Sequence, residues 1–414
     1  MSLEHARRRA VVTGIGVIAP TGTGIEAWWQ ASLAGTSGIE PISRFDTSHY
    51  AVRCAGAVPD FEPGRWLDER LLQQTDRGTQ MALVATALAL QDAGLDPEGW
   101  SPERVGIALA GAPGHEWGQR QLQNLWTKGP AFVDAYTAIA WFPGAAAGQI
   151  SVQFGIRGTS QVTGTAETGG LEVLDDARWQ ITDGMDAVIA GGVESNLAPL
   201  ALSALQTAGC LSPSDDPVAA YLPFDPAASG WIPAEGGAIL VVEELEAARA
   251  RNASQLYGEI VGYAATHQGS RQHPLEPVET SLVRSIELAL ERAEITPPEI
   301  DVIFADAVAV PHLDATESAA IEEVFGERAH EVPVASPKSF WGRAGAGAAP
   351  LDVAAALLSM RDDRIPPTAR ARGSSTGTNL NLIAGEPLST EIRTALILAR
   401  GSGGSSSALV VRRV

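Results

Sequence analysis

The stretch Ser160-Gln161-Val162-Thr163-Gly164-Thr165-Ala166-Glu167-Thr168-Gly169-Gly170 concentrates the features a reactive site needs. It begins with β-prone residues, passes small ones and breaks at a glycine pair. Leu171, Leu174, Ala177 and Ile181 follow at helical spacing. Strand, sharp turn and helix in that order form an elbow that lifts one side chain above a helix N-terminus. The macrodipole there favours an anion or an activated nucleophile. The residue at the tip is Glu167, so the chemistry on offer is that of a carboxylate set against a helix dipole.

Other reactive side chains carry less. The seven histidines show no metal-ligand spacing, and His267 and His273 sit in a polar loop, so no metal site is expected. Cys210 precedes a Ser/Pro-rich loop without elbow glycines and reads as a structural thiol. Gly14-x-Gly16-x-x-Ala19 superficially matches a dinucleotide fingerprint. Pro20 and a Gly/Thr loop follow where the phosphate-binding helix should begin, which argues against that reading. The ten tryptophans read as core and interface anchors.

The elements that must position the elbow are read from hydrophobic pattern. Strands are expected over residues 9–17, 105–110, 187–194, 238–244, 259–264, 302–310, 332–335, 395–399 and 408–412. Helices are expected over 28–33, 73–93, 116–126, 138–150, 279–293 and 344–360. Residues 211–237, rich in Ser, Pro, Asp and Gly, form a long loop of the kind that is usually functional. Strands alternating with helices predict a layered α/β fold, and two halves in matching order suggest an internal duplication. The halves are placed at 1–250 and 251–414.

Composition bounds the function. The chain has 414 residues, 45% of them hydrophobic and 19% charged, as expected of a soluble protein with a large core. A net charge of −20 argues against nucleic acid and against anionic membrane surfaces. Two cysteines make no disulfide framework and suit a reducing cytoplasm. No apolar run approaches the ~20 residues of a membrane span, and the N-terminal arginines precede a glycine-broken first strand rather than a signal peptide.

Several motifs carry a family resemblance over nearly the whole chain. Thr165-Ala166-Glu167-Thr168-Gly169 resembles the T-A-C-x-[TS]-G nucleophile elbow of β-ketoacyl-ACP synthases, with Glu in place of Cys. Val11 to Val17 and Pro20-Thr21-Gly22 resemble the opening of those enzymes. Leu222-Pro223-Phe224-Asp225 and Ala234-Glu235-Gly236-Gly237-Ala238 resemble their PFD…GEGA loop. Asp314-Ala315-Thr316-Glu317 matches a D-x-x-E that follows the first active-site histidine, which places Asp306 at the histidine position. Pro337 to Arg343 matches the K-[ST]-x-x-GH segment, with Lys338 kept and Arg343 in place of the second histidine. Gly401-Ser402-Gly403-Gly404 resembles the C-terminal GFGG loop without its phenylalanine.

All three catalytic positions are thus replaced. This pattern resembles the chain length factor, or ketosynthase beta subunit, of type II polyketide synthases. Trp117 to Trp126, Ala140-Trp141-Phe142 and Gly345 to Val353 fit that subfamily closely, although it usually carries Gln at the elbow. The resemblance implies a thiolase-like fold, two βαβ halves in a five-layer α-β-α-β-α sandwich. It implies a non-condensing subunit of a ketosynthase heterodimer that shapes the elongation tunnel and sets polyketide chain length. The implied partners are a catalytic ketosynthase alpha subunit and an acyl carrier protein whose phosphopantetheine serves the complex, with no cofactor on this chain. It also implies that His115, Gly118 and Leu122, on one helix face, gate the tunnel at the subunit interface.

Two alternatives remain open at this point. One is a malonyl-ACP decarboxylase using Glu167 or Arg343 to polarise the thioester. The other is a degenerate homodimer with an assembly role only. Condensation itself needs a thiolate and imidazoles or an equivalent oxyanion site, which Glu167, Asp306 and Arg343 do not supply. With Lys338 these four sum to zero formal charge and are expected to form a paired buried cluster.

Overall fold

Two sets of five strands repeat one order in the computed structural model, which describes residues 8–111, 115–137, 142–269, 279–369, 378–401 and 403–414. The first set is β1 (Ala10–Ala19), β2 (Val105–Ala110), β3 (Ser160–Thr163), β4 (Ala187–Ser195) and β5 (Glu235–Glu244), in the spatial order β1-β5-β4-β2-β3. The second is β6 (Gly258–His267), β7 (Val302–Phe304), β8 (Pro333–Ala335), β9 (Thr394–Arg400) and β10 (Ser405–Arg412), in the order β6-β10-β9-β7-β8. In each set the second strand runs parallel to the third and fourth, and the fifth runs antiparallel to the fourth and first. A short antiparallel contact, Val11 with Glu259 and Val12 with Gly258, joins the halves.

The duplication reaches single residues. A Cβ on Gly14 would lie 2.3 Å from the Ala89 carbonyl oxygen and 2.7 Å from Ala93 Cβ; one on Gly262 would meet Ala289 and Ala293 at the same distances. Each glycine lets the first strand of its half rest directly on the backbone of the long helix outside it. These helices are α1 (Arg77–Ala93) and, after α2 (His115–Lys128) and α3 (Gly169–Thr182), α4 (Glu279–Ala293). With α5 (Pro311–Phe325), α1 and α4 form the outer layers.

Between the sheets lie α3 and α6 (Ala348–Asp362), packed on each other. α3 touches β2 and β4 on one side and β6 on the other, and α6 spans β5 and β9. The arrangement is the expected α-β-α-β-α sandwich. In α6 every residue from Ala348 to Met360 is buried, the mark of a helix with no solvent face. Leu351, Leu357 and Leu358 each contribute roughly 1.5–3 kcal/mol by burial.

Several boundaries differ from the sequence expectation. The helix expected over 73–93 is two helices, because Asp76 leaves the helical conformation and its carboxylate caps α1 at the Gly78 and Thr79 amides. The strand expected over 302–310 ends at Phe304; carboxylates of α5 capture the amides that a strand would pair. The helix expected over 138–150 is found at Ala145–Phe154, and residues 138–141 lie outside the described residues. α5 and the helix Pro199–Thr207, both with proline in the first turn, were not anticipated.

Candidate functional site

The elbow forms as its sequence dictates. β3 ends at Thr163, a single turn spans Ala166–Thr168, and α3 begins at Gly169. Ala166 takes φ +51°, a left-handed conformation that a non-glycine residue adopts at a cost of about 1–2 kcal/mol. Gly170 is demanded by close approach: a Cβ there would lie 2.4 Å from Pro350 Cδ and 2.6 Å from the Ala346 carbonyl oxygen. The start of α3 thereby packs against the start of α6. Glu167 is buried at the tip, and its Oε2 has no hydrogen-bond partner.

Asp306 follows β7 in a loop held by the first turns of α5. Glu317 Oε1 and Oε2 accept from the amides of Asp306 and Ala307 at 2.7 and 2.8 Å. Asp314 accepts from Ala309 N–H at 3.0 Å and from Phe224 N–H at 2.8 Å. The D-x-x-E motif is therefore a backbone clamp, its carboxylates one helical turn apart. Under it, Ala307, Ala309 and Phe224 hold φ of +50°, +55° and +55°. Tyr221 donates its hydroxyl to the Ala307 carbonyl at 2.9 Å, tying the PFD loop to the same segment.

Arg343 reaches Asp306 through both terminal nitrogens, at 2.8 and 3.2 Å, and donates to the Arg400 carbonyl at 2.6 Å. Its guanidinium also lies 5.8 Å from the Trp231 ring centre. Arg400, at the end of β9, donates to Asp306 at 3.2 Å, to the Leu313 carbonyl at 2.8 Å and to Glu317 at 2.8 Å. Burial opposes ionisation of Asp306, but Arg343, Arg400 and Lys338 together hold its carboxyl below the usual range. The Arg343 guanidinium is likewise raised: burial works against its charge, and Asp306 and then Glu167 outweigh it.

The charges are divided differently from the expectation. Lys338 does not pair with Glu167 or Asp306; its ammonium lies 2.5 Å from Asp352 Oδ2 inside α6. Both groups are buried, so this contact is the ion pair that charges them inside the fold. Burial pushes the Asp352 carboxyl up to about 6 in spite of Lys338. Asp306, Glu317 and Asp352 balance Arg343, Arg400 and Lys338, and Glu167 stands outside the balanced set.

Arg400 and Asp352 were missed in the sequence. Signals existed: an arginine closing the apolar run before the glycine turn, and an aspartate inside an otherwise apolar helix, which must find a partner. Glu235 of the GEGA-like loop serves structure instead. It accepts from Arg44, Arg77, Val58 N–H and Ser195, and against burial these arginines hold its carboxyl at about 2. Cys210 is buried, and burial raises its thiol.

The second candidate face is on α2. His115 begins that helix, and its side chain lies outside the described residues. Gly118 and Leu122 are half-buried, while Trp117 and Gln121 face the chain's own body. Gln121 accepts from Asp134 N–H at 2.9 Å, on the wall of a cleft of about 680 Å³ that Phe132 and Tyr136 also line. Among the described residues no group of His, Cys, Asp and Glu could hold a metal ion, and no helix is long and apolar enough to cross a membrane.

Comparison with known proteins places this geometry. The beta-ketoacyl synthase N-terminal domain matches residues 7–248 and the C-terminal domain residues 257–372. The tetracenomycin polyketide synthase ketoacyl synthase beta subunit of Streptomyces glaucescens is 47% identical over 97% of this chain and 98% of its own. The actinorhodin polyketide putative beta-ketoacyl synthase 2 of Streptomyces coelicolor is 43% identical over 97% and 98%. Among solved structures, the ishigamide ketosynthase/chain length factor aligns with a TM-score of 0.89 at 30% identity, covering 99% of this chain and all of that one. A type II polyketide synthase acyl-carrier protein in complex with its ketosynthase bound to the hexaketide aligns with a TM-score of 0.87 at 29% identity, covering 98% and 100%. By these matches the chain belongs to the beta-ketoacyl synthase family, within the ketosynthase beta subunits, or chain length factors, of type II polyketide synthases.

Proposed function

We propose that this chain is the non-condensing subunit of a ketosynthase heterodimer, shaping the tunnel in which a catalytic alpha subunit extends a poly-β-keto chain. The observation that carries the reading is the state of the three catalytic positions. Glu167 offers a carboxylate where a thiolate would be needed, and Asp306 and Arg343 are committed to each other and to Arg400. The alpha subunit supplies the thiolate, and malonyl groups arrive on the phosphopantetheine of an acyl carrier protein. The complex works in the cytoplasm.

The open side of the fold supports the partner. Among the described residues β3 pairs only with β2, so its outer edge is free to take another strand. Trp126, Phe132, Phe142 and Val152 stand exposed, large apolar side chains available to a partner surface. His115, Gly118 and Leu122 are the proposed gate, set on the helix that follows β2 in the chain. The test is co-expression with a cysteine-bearing ketosynthase alpha subunit of a type II polyketide synthase. A soluble heterodimer that makes polyketide from malonyl-ACP is expected, with the separate chain poorly soluble and inactive. A stable monodisperse monomer, or condensation by this chain alone, overturns the reading.

A further inference from the structure

α2 has a second face that the proposed gate does not use. His115, Gly118 and Leu122 share one side of the helix, while Trp117, Gln121 and Asn124 recur at i, i+4 and i+7 on the other. Between that rear face, the helix Glu69–Gln74 and the turn Pro130–Phe132 lies the cleft of about 680 Å³. A space of this size suits a compact organic molecule. A second arm of about 240 Å³ shares Leu72, Trp117 and Arg120 as walls and runs along Thr75 and Gln80.

The lining is aromatic and rich in donors. The Arg120 guanidinium lies 4.8 Å from the ring centre of buried Trp117, stacked as a cation on an indole. Leu72 and Val133 are half-buried beside this pair, and Phe132 and Tyr136 stand at the rim. Among the described residues Arg120 makes no ion pair. Gln121 is only 6% exposed; its Oε1 accepts from Asp134 N–H at 2.9 Å, and no described residue takes its amide nitrogen. The Tyr136 hydroxyl accepts from the Gln74 amide at 3.2 Å and keeps its own O–H to donate. Asp134, the one acid among the described residues of this wall, is turned to its own loop and accepts from Tyr136 N–H at 2.8 Å. Asp76 and Glu116 belong to the second arm, and the Asp76 carboxylate caps α1.

We infer that this cleft binds a planar aromatic oxyanion, a ring carboxylate or phenolate, with its rings over Leu72, Val133 and Phe132 and its oxygens at Arg120, Gln121 and Tyr136. In a chain of net charge −20, a concave surface that leaves a cation and three further donors to solvent is matched to an anion. Stacking selects flat rings, and the guanidinium edge selects the charged oxygen. The identity of the natural ligand rests on the proposed function. A poly-β-keto chain that closes on its own methylene carbons with loss of water becomes a planar phenol, so a folded product of the complex falls in this class.

The experiment is calorimetric titration of 2-naphthoate into the co-purified heterodimer and into the soluble fraction of this chain alone. Wild type is expected to bind with a Kd below about 1 mM, and neutral 2-naphthamide and non-planar cyclohexanecarboxylate at least about tenfold more weakly. Arg120→Met should raise Kd for naphthoate about tenfold or more, with Tm unchanged, and the charge-keeping Arg120→Lys should recover most of the affinity. Binding by the ketosynthase subunit is common to wild type and variants and cancels in that comparison. No binding by either sample, equal binding of all three probes, or an Arg120→Met variant that binds as wild type overturns the inference. Binding by the separate chain that is lost in the heterodimer assigns the cleft to a subunit contact and also overturns it. A chain that forms no heterodimer takes down the functional reading, while titration of the chain alone still decides the site.

Discussion

Arg343→Met probes the buried charge set most directly. It removes both contacts to Asp306, at 2.8 and 3.2 Å, and the donation to the Arg400 carbonyl. Asp306 keeps Arg400 at 3.2 Å, but Arg400 is already shared with Glu317, and the Glu167 charge loses its neighbour Arg343. Removing one partner of a buried pair costs about 3–5 kcal/mol. Unfolding entropy of about 2.1 cal/mol/K per residue over 414 residues converts this to a Tm lower by about 3–6 °C for this chain, and by about half that where both subunits of the complex unfold together. Arg343→Met/Asp306→Leu removes both charges and leaves the Arg400–Glu317 pair at 2.8 Å. The double variant should therefore be less destabilised than the sum of the single ones, by about 2 kcal/mol. Calorimetry of the co-purified complex at one protein concentration gives all four corners of the cycle. Additive effects within about 0.5 kcal/mol, or a Tm loss below about 1 °C for Arg343→Met, would refute the claim that these charges are a coupled structural unit.

Other expectations concern the elbow, pH and the gate. Glu167→Ala should leave elongation by the complex intact, and Glu167→Cys should create no condensing site while Asp306 and Arg343 remain; a Cys variant whose acyl-enzyme turns over with malonyl-ACP contradicts this. Glu235, held at about 2 against an ordinary 4.5, adds about 3 kcal/mol of stability that is present above its unfolded pKa and lost as pH falls through 2. Asp352 and Asp314 are raised by burial to about 6 and about 7, so their protonated forms favour the fold and that contribution fades as pH rises through those values. Tm of the soluble fraction of the separate chain, taken at low concentration, should thus peak near about pH 4 and fall on both sides, and a rise toward pH 8 would contradict it. Gly118→Phe should shorten the products without abolishing condensation, because a chain that meets a wall forfeits ~0.8 kcal/mol per methylene; mass spectra at wild-type length and yield would remove this face as the gate.

What the sequence made legible follows from where its information is local. The elbow could be read because a strand, a glycine pair and a helical period sit within a dozen residues, and the structure keeps their order. Strand 105–110 and helix 279–293 matched to the residue: the strand runs from the turn Pro102–Arg104 to Gly111, and the helix ends where Glu294 takes φ +55°. The charge partners were not legible in the same way. Arg343 meets Asp306 across 37 positions and Lys338 meets Asp352 across the packing of α6, so only the fold decides those pairs. Residues 305–310 look like a strand by composition, yet after Ala305 the amides of Asp306, Ala307 and Ala309 go to Glu317 and Asp314, a tertiary choice that overrides propensity. The residue-level repeat was hidden for a similar reason. Gly14 and Gly262 are recognisable as counterparts only once each is seen against its own pair of alanines.

The strain in the site bears on why the fold keeps a centre that cannot condense. Ala166, Phe224, Ala307 and Ala309 all hold positive φ around the three replaced positions. At about 1–2 kcal/mol each, such conformations persist only where neighbours over-determine them. The neighbours are identifiable: Asp314 and Glu317 grip the 306–309 segment, Tyr221 ties it to the PFD loop, and Gly170 lets α3 reach α6 beneath the elbow. Side chains at the reactive positions have become a saturated ion pair and a lone carboxylate, while the backbone that would aim a nucleophile is still clamped in place. Shape has been held where chemistry has been given up. A subunit whose task is to bound a growing chain, and to present a rigid face to the subunit that builds it, needs the first and not the second.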